Sequence, residues 1–92
     1  LMKKHLLILG NVQGVGFRHW LYTKATKKKI HGWVKNKITG EVEALLIGNN
    51  EEVNDIIKQC KLGPALSNVK KVIIQDYQFE HNNKSFNIIG TD

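Results

Sequence analysis

The residues with the most chemical potential lie together in Gly10-Asn11-Val12-Gln13-Gly14-Val15-Gly16-Phe17-Arg18. Arg18 carries a permanent charge on a planar fork that matches two phosphate oxygens. The glycines let the main chain come close to an anion. A helix pattern begins at Phe17, and the first N–H groups of a helix have no internal partners. A turn of this kind can therefore cradle phosphate. A helix terminus gives an anion about 0.3–1 kcal/mol, or ~2 kcal/mol when partly buried. A charge-assisted hydrogen bond adds about 1.5–3 kcal/mol. Composition alone equally permits a plain chain-reversing turn with Arg18 solvated. No Gly-Lys-Ser/Thr follows, so the loop is not a Walker A motif, and its glycine spacing is not that of a dinucleotide fingerprint.

The other reactive side chains are dispersed. Cys60 is the only cysteine, which excludes an intrachain disulfide and argues against a thiolate metal site. It also fits a reducing compartment. His19 follows Arg18, but successive helical side chains are about 100° apart, so it faces away. His5, His31 and His81 read as surface or rim residues. Trp20, Trp33, Phe17 and Phe86 read as core or sheet-face packing. No metal or other cofactor is expected.

These groups must be positioned by a small body. At 92 residues, with 41% hydrophobic and 24% charged, the chain reads as one ordered domain spanning 1–92. The net charge of +6 favours anions. Lys27-Lys28-Lys29 reads as a solvated helix end that complements the dipole. The longest apolar runs, Leu6–Leu9 and Ala44–Ile47, are too short for a membrane span or a signal peptide. A cytoplasmic monomer is the simplest expectation.

Leu6–Leu9 reads as a buried strand ending at Gly10. Phe17, Leu21 and Ala25, spaced by four, mark a helix of about three turns closing in lysines. Residues 30–37 read as a second strand, with Ile30, Gly32 and Val34 on one face. Ile38-Thr39-Gly40 is a turn, and 41–47 a third strand, making a hairpin. Asn49 and Glu52 suggest a capping box for a second helix, in which Val53, Ile56, Ile57 and Cys60 share a face. Gly63-Pro64 stops it. Residues 69–79 read as a long strand, and 85–89 as a short edge strand pairing back. The order β-α-β-β-α-β predicts an α+β, ferredoxin-like split β-α-β sandwich: an antiparallel sheet with two helices on one face.

Residues 10–18 resemble the acylphosphatase signature. Gly32-Trp33-Val34-Lys35-Asn36 resembles a second pattern of that family, with Gly40, Val42 and Gly48 at its intervals. Gly63-Pro64 and Phe86-x-Ile88 fit as well, so the resemblance covers essentially the whole chain. It implies a hydrolase that splits acyl phosphates into a carboxylate and inorganic phosphate. It implies that Arg18 grips the phosphoryl group, helped by the amides of Gln13, Gly14, Val15, Gly16, Phe17 and Arg18. It implies that Asn36 holds the attacking water. Asn11 stands where many members have a basic residue, and Ala65 replaces a second proline common after Gly63-Pro64.

Three alternatives accompany this reading. One is an acylphosphatase-like domain that handles carbamoyl phosphate within a larger maturation protein. Another is an RNA-binding ferredoxin-like module, although the paired aromatic strand motifs it needs are absent. The third is an inactive relative with a structural role. Specific nucleic acid and membrane partners are not expected, whereas inorganic phosphate is expected as product and inhibitor.

Overall fold

The computed structural model describes residues 1–92. The apolar run Leu6–Leu9 lies in β1 (Met2–Asn11), a strand that pairs on both sides. It is followed by α1 (Phe17–Lys27), β2 (His31–Asn36), β3 (Val42–Gly48), α2 (Asn50–Cys60), β4 (Asn68–Asp76) and β5 (Phe86–Ile88). The sheet order is β4-β1-β3-β2-β5. Two helices over such a sheet give the expected α+β ferredoxin-like arrangement.

The sheet departs from the expectation at its far edge. Its first four strands are antiparallel neighbours, but β5 joins β2 in parallel, so the sheet is mixed. Direction follows from where the chain leaves β4. Asp76 lies opposite Lys4, at the end of the sheet where β2 begins. A strand that starts after crossing this end runs the same way as β2. The long strand expected over 69–79 also stops at Asp76.

The core lies between helices and sheet. Leu6 and Ile8 of β1, Val42, Ala44 and Leu46 of β3, and Val34 of β2 face Phe17, Leu21 and Ala25 of α1 and Val53, Ile56 and Ile57 of α2. Truncating a buried leucine such as Leu21 to alanine would cost about 2–5 kcal/mol. On the opposite sheet face Leu45 is also fully buried. Its neighbours there in register are Trp33 and His5. Strand β4 forms the other edge, with Lys70 and Lys71 exposed and Ile74 38% exposed.

Half of the expected capping box forms at α2. The Asn49 side chain accepts a hydrogen bond from the Glu52 N–H at 2.9 Å. The Glu52 carboxylate turns instead to Lys28, at 3.1 Å, because an ammonium is a stronger partner than a neutral amide. Lys28 also reaches Asp55 at 3.0 Å, tying the end of α1 to the start of α2. Both carboxylates hold the Lys28 ammonium above its ordinary pKa, Asp55 more strongly. No helix is long and apolar enough to cross a membrane.

Candidate active site

The loop from β1 to α1 is shaped by its glycines. Gly14 and Gly16 adopt φ of 72° and 80°, a left-handed conformation that L side chains resist. Gly16 is also the N-cap of α1, so no side chain caps this helix and its first turn carries no acid. Phe17, 2% exposed, plugs the core at the first helical position and fixes the helix start.

The consequence is a row of free donors. The backbone N–H groups from Gln13 to Arg18 donate to no carbonyl or side chain. The first loop-derived bond is Trp20 N–H to the Gly16 carbonyl, at 3.0 Å. Arg18 is half-buried, and its guanidinium belongs to none of the molecule's ion pairs. A cation with no carboxylate beside free amides is suited to an external anion.

Asn36 closes β2 and lies opposite Val42, which also pairs with Ile8 on its other side. Two strand spacings put the Asn36 and Ile8 backbones about 10 Å apart. Strand alternation places Asn36 on the face of Val34, toward the helices. The sheet thus brings Asn36 to the end where β1 delivers the loop.

The Gln13 side chain makes that approach closer. Its Nε2 donates to the Lys37 carbonyl at 2.7 Å and to the Glu41 carbonyl at 2.9 Å. It pins the loop to the turn that follows Asn36. Sequence reasoning assigned Gln13 only through its backbone amide. A carboxamide among glycines was the available signal, but its acceptors lie in the β2–β3 hairpin.

The remaining polar residues lie elsewhere. His19 is exposed and stacks on Tyr22 with ring centroids 6.3 Å apart. His5 is half-buried on the open sheet face and meets Glu43 at 2.6 Å. Trp20 packs edge-on against Phe17, and Trp33 lies under the Lys35 ammonium, so both serve packing as expected. Cys60 is buried, and desolvation pushes its thiol up to about 12, leaving it unreactive. The broadest surface hollow is lined by Lys24, Lys27, Lys28, Lys29, Glu52 and Gln59, at the other end of α1. With Lys28 already paired and no free amides there, it lacks the loop's donor array.

Fold and loop together define a ferredoxin-like α+β domain whose strand–helix turn presents a row of unpaired backbone donors. The chain belongs to the acylphosphatase family, whose model matches residues 4–88. An acylphosphatase of Alcanivorax borkumensis is 42% identical over 73 residues, covering 79% of this chain and 79% of the relative. One from Moorella thermoacetica is 38% identical over 88 residues, covering 96% and 94%. The crystal structure of acylphosphatase from Bacillus subtilis matches with a TM-score of 0.91 at 30% identity, covering 97% of this chain and 99% of that one. The chain is accordingly an acyl phosphate hydrolase.

Proposed function

We propose that the phosphoryl group of a small acyl phosphate sits on the amides from Gln13 to Arg18, under the Arg18 guanidinium, while Asn36 holds the attacking water. Attack is in line on phosphorus and forms no covalent intermediate with the protein. The observation that carries this reading is the row of unpaired amides leading to an unpaired arginine.

The leaving group explains why so little machinery suffices. A carboxylate has a conjugate acid with a pKa of about 4, so it departs without a proton. An alkyl monoester would expel a much stronger base and would need a general acid. Phosphoryl transfer through a loose transition state asks mainly for positioning and charge stabilisation. Arg18 and the amides supply stabilisation. Asn36 supplies positioning, because a carboxamide both donates and accepts. Neither a metal nor another cofactor enters this scheme. A cytoplasmic monomer suits it, the one cysteine fitting a reducing compartment.

The test is hydrolysis of benzoyl phosphate beside an alkyl phosphate monoester, with and without EDTA. Only the acyl phosphate should turn over, EDTA should leave the rate unchanged, and inorganic phosphate should inhibit competitively. Asn36→Ala should lose turnover and still bind phosphate. A full rate in that variant would refute the water assignment, and loss of rate in EDTA restored by a divalent ion would refute the metal-free scheme.

A further inference from the structure

We infer that Asp92 is a positioning residue for Asn36, holding the water-bearing strand end from its outer edge. This rests on the role proposed for Asn36. Asn36 ends β2, at the last ladder pair with β3. On one side it has β3, through Val42. On the other, the Asp92 N–H donates to the Asn36 carbonyl at 3.2 Å.

The Asp92 side chain grips both neighbours of Asn36 in the chain. Its Oδ2 accepts from the Lys35 ammonium at 2.8 Å, and its Oδ1 from Lys37 at 3.3 Å. Alternation along the strand puts Lys35 and Lys37 on the opposite face from Asn36. One residue therefore fixes the carbonyl of Asn36 and the two side chains flanking it, without blocking the face that meets the substrate. Glu43 assists more loosely, its Oε1 lying 3.6 Å from Lys35 and 3.7 Å from Lys37.

The charges are consistent with this geometry. The Asp92 carboxyl is held below the usual carboxylate range by Lys35 and then Lys37. Lys35 is raised, chiefly by Asp92. The Asp92–Lys35 pair is thus charged at neutral pH. Gln13 secures the Lys37 carbonyl from the loop side. Asn36 is held between the phosphate cradle and an outer anchor.

Asp92 touches no reacting group, so its effect belongs in the chemical step. For Asp92→Ala, kcat on benzoyl phosphate should fall by about three- to tenfold, the range between a weak exposed ion pair and a misplaced water. The inhibition constant of inorganic phosphate should stay within about twofold, because the cradle is intact. Asp92→Glu, which keeps the charge, should recover most of kcat. An unchanged kcat in Asp92→Ala overturns the inference. So does a parallel loss of kcat and phosphate affinity, which would mean general loosening, or an Asp92→Glu variant no better than alanine. Asn36→Ala measured alongside separates the two readings. If it is inactive while Asp92→Ala is normal, only the Asp92 role falls; if Asn36→Ala is fully active, the water assignment falls first.

Discussion

The two helices begin in opposite ways. Helix α2 starts with Asn49 accepting from the Glu52 N–H, and its first turn carries Glu51 and Glu52. Asn49 thus takes the N–H groups of Glu52 and Val53, and two acids stand beside the rest. Helix α1 starts at a left-handed Gly16, with no cap and no acid. The same backbone dipole operates at both ends. In α2 it is met by the chain's own groups; in α1 it faces outward with Arg18 beside it. The difference teaches that a core residue such as Phe17 can fix a helix start without a cap, leaving its N–H groups open to an outside partner.

Three substitutions probe this contrast. Arg18→Ala should have the largest effect, removing the guanidinium and lowering kcat/KM by about 10³-fold or more, with phosphate inhibition lost. A rate within tenfold of the parent would show that the amides alone suffice. Asn49→Ala touches the finished helix, so it should cost about 1 kcal/mol and lower Tm by about 4–8 °C while leaving kcat/KM unchanged. A change in activity would mean that the two helix starts are coupled. His19→Glu gives α1 the acid it lacks. It should raise Tm slightly, weaken phosphate inhibition by about two- to fivefold and lower kcat/KM with it, since a carboxylate in the first turn competes for the dipole. Tighter phosphate inhibition would contradict the anion assignment.

Much of this contrast was legible in the sequence. The glycines, the helix pattern from Phe17 and the Asn49 cap are local, set by residues within one turn of each other. The hairpin of β2 and β3 was legible because Ile38-Thr39-Gly40 is short. What escaped depends on distance along the chain. The direction of β5 depends on which edge the segment after β4 reaches, and its polar residues do not encode that. Glu52 left the capping box for Lys28, a residue of another helix. The grips of Gln13 on the β2–β3 turn and of Asp92 beside Asn36 arise only when the sheet is assembled. The family was readable from the motifs, while the contacts that tie the loop to the end of β2 were not.

The outer edge of β4 has a consequence for handling the molecule. It carries backbone donors and acceptors that another chain could pair with, and Ile74 offers apolar surface there. Lys70 and Lys71 oppose such pairing by placing two exposed charges on that edge. That protection works through solvent and weakens as ions are added: the screening length is about 10 Å at 0.1 M salt but only about 3 Å at 1 M. Concentrated salt should therefore weaken the charge barrier to edge-to-edge association, which light scattering against salt concentration would register.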